Sequence, residues 1–140
     1  LSRTKRVSKK LVLKEYQIEE LILSYLNSLK DSFFWKNPAG GFFDGKKIRS
    51  HVSKFVIKGG SDILGLYRGE FYAFEVKTPT SIKFYEKNHE RLSKTASWAL
   101  KNDRERHFRR QIEFQKKIKA MGGYAFFVCS IEDVKKALQK

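Results

Sequence analysis

Gly59-Gly60-Ser61-Asp62-Ile63-Leu64-Gly65-Leu66, followed across a short turn by Phe74-Glu75-Val76-Lys77, is the stretch that decides how this chain folds. Two short apolar runs around Arg68-Gly69 predict a hairpin, although Arg-Gly is a weaker turn signal than Asn-Gly or Asp-Gly. Residues two apart on a strand share a face, so Phe71, Ala73, Glu75 and Lys77 point one way and Tyr72, Phe74 and Val76 the other. The turn folds Asp62 back toward Glu75. Both acids are poor choices for a core, because an unpaired buried charge costs several kcal/mol. They suit a cation lying between them. Magnesium takes oxygen ligands, typically one or two carboxylates with waters and substrate phosphates, so Asp62 and Glu75 read as half of a metal site for phosphodiester chemistry. An isolated Glu-x-Lys is otherwise a common way to protect a sheet edge. Gly59-Gly60-Ser61 before Asp62 permits close backbone approach.

Working outward, Ile18, Leu21, Ile22, Tyr25, Leu26 and Leu29 follow the spacing of one apolar helical face and predict a helix from about Val12 to Lys30. At about 100° per residue, Glu15 lies near the edge of that face, Glu19 farther off it and Glu20 nearly opposite. Asn37-Pro38-Ala39-Gly40-Gly41 and Asp44-Gly45-Lys46-Lys47 mark turns around short aromatic segments. Lys46, Lys47, Arg49, His51, Lys54 and Lys58 recur near alternate positions, the pattern of a strand with one basic face suited to a phosphate backbone. Beyond Lys77, Thr78-Pro79 ends the strand. The polar, basic segment to Arg110 is expected to be helical with a break near Asn102-Asp103, running on into a helix where Gln111 and Gln115 share a side with Phe108 and Ile118. Gly122-Gly123 stops that helix and Tyr124 to Cys129 is a buried strand. Ser130 and Asp133 resemble a capping box for a last helix with Ile131, Val134 and Leu138 on its apolar face.

The chain has 140 residues, 41% of them hydrophobic, enough for one domain with one core. Its formal net charge of +15 exceeds what solubility requires and points to a polyanion, nucleic acid first. No long apolar run or amphipathic anchor supports a membrane partner. The basic N-terminus lacks a signal-peptide apolar region. Cys129 is the single cysteine, which excludes an internal disulfide and reads as a small buried residue. A cytoplasmic setting is expected from both observations. His51, His89 and His107 lack metal-ligand spacing and read as surface or binding residues. The chain opens on Leu1 without an initiator methionine, as a trimmed or engineered form would.

Gly60-Ser61-Asp62-Ile63-Leu64, Phe74-Glu75-Val76-Lys77, Gln111 and Gly122-Gly123-Tyr124-Ala125-Phe126-Phe127-Val128 together resemble the VRR-NUC family of the PD-(D/E)XK nucleases. The segment Phe34 to Gly45 is similar to what small members of that group place there. The resemblance implies an α/β fold with a restriction-endonuclease-like core, a mixed central sheet flanked by helices. It implies one nuclease domain over residues 1–140, with a basic arm over 1–10 and a basic helical insertion at about 80–110 that the compact family pattern lacks.

The function implied is a Mg2+- or Mn2+-dependent endonuclease acting on DNA, selective for branched, flapped or Holliday-junction structures. No small-molecule cofactor is implied. In that family Asp62, Glu75 and the Val76 carbonyl hold an ion, Glu15 from the first helix assists, and Lys77 orients or activates the attacking water. The spacing of Gln111 to Gly122 favours Gln111 over Gln115 as the family glutamine. Lys46, Lys47, Arg49, Lys54, Lys58, Arg109 and Arg110 are the expected nucleic-acid contacts. A homodimer is expected, because a symmetric junction suits a two-fold protein. Two alternatives stand beside it: a non-catalytic nucleic-acid-binding protein on a nuclease-like fold, and a basic structural protein whose acids only protect an edge.

Overall fold

The computed structural model describes residues 12–37, 42–43, 48–49, 57 and 59–139. The hairpin at its centre is β4 (Ile63–Tyr67) and β5 (Glu70–Val76), antiparallel, with Tyr67 opposite Glu70 and Ile63 opposite Phe74. Arg68 and Gly69 connect them with φ of 51° and 78°. Positive φ at both central positions is the turn whose twist matches paired strands, and it forms here although Arg occupies the first of them. Strand β1 (Ser32–Lys36) adds antiparallel to β4, and β6 (Tyr124–Val128) adds parallel to β5. The result is a mixed four-stranded sheet in the order β1-β4-β5-β6. A separate two-residue ladder pairs β2 (Phe42–Phe43) with β3 (Ile48–Arg49).

Helices cover both faces, as the alternation along β5 requires. Tyr72, Phe74 and Val76 pack with Ile63 and Phe34 under α1 (Glu15–Ser28) and α4 (Ile131–Gln139). On the opposite face Ala73, Leu64 and Phe71 meet Phe114 and Ile118 of α3 (Asp103–Ala120). Helix α1 is shorter at both ends than its apolar repeat suggests. Gln17 reaches back to accept the Lys14 N–H at 2.9 Å, and Leu29 is already extended.

The basic segment is not a solvated appendage. Helix α2 (Pro79–Lys94) starts on Thr78, whose hydroxyl accepts the Ser81 N–H at 3.2 Å, with Pro79 as its first residue. The break opens at Thr95 and closes at Asn102, whose side chain caps α3 by accepting the Glu105 N–H at 3.0 Å. Sequence reading located only the restart. Leu92, Leu100, Phe108 and Ile112 form a second core with Phe84, Tyr85 and Phe127, so α2 and α3 are fastened together and to the sheet. Asp133 takes the Cys129 N–H at 2.9 Å and gives its own N–H to Ser130 Oγ at 3.2 Å, fixing the start of α4. The Cys129 thiol donates to the same carboxylate, and burial pushes it up to about 11. Among the described residues no helix is long and apolar enough to cross a membrane. The basic arm over 1–10 and Lys46, Lys47, Lys54 and Lys58 lie outside the described residues. Arg49 is described only as a strand position.

Candidate functional site

The hairpin register sets Asp62, one residue before β4, opposite Glu75 at the end of β5. Asp62 Oδ2 accepts the Val76 N–H at 2.8 Å, and the Asp62 carbonyl accepts the Asn37 N–H at 2.7 Å. Asp62 is thus tied to both neighbouring strands. The approach to it needs glycine. Gly59 has φ of 80°, and a Cβ there would stand 2.6 Å from Arg110 Cβ and 2.9 Å from that residue's carbonyl carbon. No larger residue lets this loop close onto α3.

Glu75 is 3% exposed. Burial, then the Asp62 charge, push its carboxyl up to about 9. Lys77 partly opposes that rise, its Nζ lying 3.6 Å from Glu75 Oε1 and 4.5 Å above the Phe108 ring. Gln111 Nε2 donates to the same oxygen. Glu75 Oε2 meets no N–H donor among the described residues, and a hydrogen bond with the Asp62 carboxyl adds to the rise. Gln115 is also buried, but its amide is not the one that reaches Glu75.

Helix α1 brings two further acids. Oxygens of Glu15, Glu19 and Asp62 all lie within 4.8 Å of one another. Burial, then Asp62, hold both glutamates above the usual carboxylate range. Glu19 also pairs with Lys36 at 3.4 Å. Glu19 stands farther off the sequence-predicted apolar face because that face includes Leu21, which is exposed; the buried stripe is Ile18, Glu19, Ile22 and Leu26. Glu15, at the helix start, is exposed, whereas Glu19, one turn further in, is buried. The Glu15/Glu19 spacing of four was the signal available. The sequence reads His107 as a surface or binding residue. It does lie on the exposed side of α3, yet its Nε2 is 2.9 Å from Gln111 Nε2, and burial with the Lys77 charge hold its pKa below the ordinary imidazole range.

The two arginines expected at nucleic acid differ. Arg109 bonds the carbonyls of Leu92, at 2.9 Å, and of Thr95, and reaches Glu113 at 2.8 Å, so it fastens the end of α2 to α3. Arg110 is exposed beside the Gly59 loop.

Asp62, Glu75, Lys77, Gln111 and the α1 acids therefore converge at one end of the sheet, from four separate stretches of chain. Comparison with models of known protein families and with functionally curated proteins gives no match to this chain. Chemically, the cluster offers several carboxylate oxygens and one buried amine, a donor set that suits a hard divalent cation beside an anionic substrate.

Proposed function

We propose that this protein is a divalent-metal-dependent endonuclease that hydrolyses DNA phosphodiester bonds, on a core of the restriction-endonuclease type similar to VRR-NUC proteins. The observation that carries it is the buried Glu75 held against Asp62, a hydrogen bond between the two carboxyl groups being one cause of its raised pKa. Two carboxylates brought together where burial disfavours the charge of Glu75 fit a Mg2+ or Mn2+ ion, which offsets it. Asp62, Glu75 and the Val76 carbonyl would hold it, with Glu15 beside them. When bound, such an ion lowers the pKa of its water and stabilises charge on the phosphoryl oxygens.

The chain's own groups do the positioning. Lys77 and Gln111 both engage Glu75 Oε1, fixing the carboxylate. The Lys77 charge orients the attacking water or the scissile phosphate. Lys36 holds Glu19 against the cluster. Arg110, exposed beside the Gly59 loop, would contact the backbone of the substrate. A two-fold dimer acting on branched DNA in the cytoplasm goes with this reading.

The test is cleavage of duplex, single-stranded, flapped and four-way-junction DNA with Mg2+, Mn2+ or chelator, comparing the wild type with Asp62→Ala. Cleavage abolished by chelator and by the substitution is the expected result. Salt-sensitive binding with no cleavage of any DNA or RNA under any metal replaces this reading with a non-catalytic nucleic-acid-binding protein.

A further inference from the structure

The sheet face that carries Asp62 and Glu75 is only half covered. Over β5 and β6 it is buried by Phe114 and Ile118 of α3. Beyond Leu64, which packs with that cluster, the face over β1 and the far end of β4 is open among the described residues, and Phe33 (65% exposed), Trp35 (40%) and Leu66 (42%) lie on it. Register makes this one surface. Phe33 stands opposite Leu66 and Trp35 opposite Leu64, and the next step along the same face is Asn37, bonded to Asp62. The two rings are neighbours, 5.5 Å between centroids and tilted by 45°. We infer that this shelf holds an unpaired DNA strand, whose bases stack on Phe33 and Trp35 and whose backbone leads to the acids. The inference deepens the nuclease reading and rests on it for the direction in which the strand runs.

Three observations select this occupant. Aromatic rings two apart on an open strand offer flat faces to successive bases, whatever their sequence. The net charge of +15 draws a polyanion toward the chain as a whole. A protein strand added at the edge of β1 is disfavoured, because Asn27 already bonds both the N–H and the carbonyl of Phe34 there, at 2.9 Å and 3.0 Å.

The test reads binding in chelator, where hydrolysis plays no part. Trp98→Phe leaves Trp35 as the only indole, and a single-stranded oligothymidylate should quench its emission saturably. Trp35→Ala should weaken single-strand affinity by about tenfold or more, with blunt duplex affinity within about twofold and Trp35→Phe retaining most of the binding. Trp35 is 40% exposed and packs on Phe33, so Trp35→Ala should lower the melting temperature slightly and Trp35→Phe less, and affinities are compared at a temperature where all variants are folded. Absent quenching, or equal losses on single strand and duplex, overturns the inference. So does a concentration-dependent dimer that Trp35→Ala dissociates, since a second copy then covers the shelf. Trp35-dependent binding without cleavage in any metal sinks the nuclease reading alone. Cleavage that Phe33→Ala and Trp35→Ala leave unchanged on single-stranded and flapped DNA sinks the shelf alone.

Discussion

Glu75 carries the largest electrostatic penalty in the described site, and that penalty has a sign that can be measured. Its carboxyl lies at about 9 instead of the ordinary 4.5, from burial first and Asp62 second. Between those values the folded chain keeps a proton that the unfolded chain has released. Stability of the metal-free protein therefore falls as pH rises through that window, with a limiting slope of about 1.4 kcal/mol per pH unit. Glu75→Gln removes the titration. In thermal melts with chelator, the wild type should lose stability from about pH 6 to about pH 8.5 while the variant changes much less. Added Mg2+ should restore the wild type most at the higher pH and do little for the variant. Equal pH slopes for the two proteins would discard the assignment. Asp62, Glu75 and Lys77 were legible from sequence because strand alternation fixes which side chains share a face. Glu19 and His107 were legible only as spacings of four, to Glu15 and to Gln111, and Lys36 was not, since its strand meets α1 only in the fold.

At the scale of elements, the chain was readable wherever a boundary is made by local chemistry. Thr78-Pro79, Gly122-Gly123 and Ser130 with Asp133 do in the structure what their residue types demand, whereas Arg68-Gly69 turns with Arg68 at a φ of 51° that its side chain disfavours. Strand β1 was harder, because Phe33, Phe34 and Trp35 are all apolar and show no alternation, and its partner lies far along the chain. The edge of β1 is guarded by one side chain. Asn27→Ala removes both bonds to the Phe34 backbone, which should destabilise the protein by about 1–2 kcal/mol in urea unfolding. The freed edge should also make the protein self-associate in light scattering as concentration rises. Arg109 is the corresponding fastener between helices. Arg109→Ala should speed amide exchange in the last turn of α2 and cost about 2 kcal/mol, while lowering DNA affinity less than Arg110→Ala does. The opposite ranking would return Arg109 to the nucleic-acid surface.

For the molecule as a whole, the distribution of charge matters more than its sum. The chain is strongly basic, yet Glu15, Glu19, Asp62 and Glu75 gather where the proposed scissile phosphate must lie. The long-range field therefore draws DNA in, and the local field repels it at the last step until a cation intervenes. This conflict gives a binding experiment two separable terms. Affinity should fall with salt, with a log-log slope of about −0.7 per phosphate contact on a single strand and about −0.9 on duplex. In chelator at low salt, Asp62→Ala should tighten binding several-fold, because it removes a repulsive charge without touching the basic contacts. The salt slope should stay the same, since the number of phosphates neutralised is unchanged. With Mg2+ present the ordering should reverse, the wild type gaining affinity that the variant lacks. A variant that binds more weakly than wild type in chelator would show that Asp62 supports the surface that DNA meets, and the acids would then have to be read as structural.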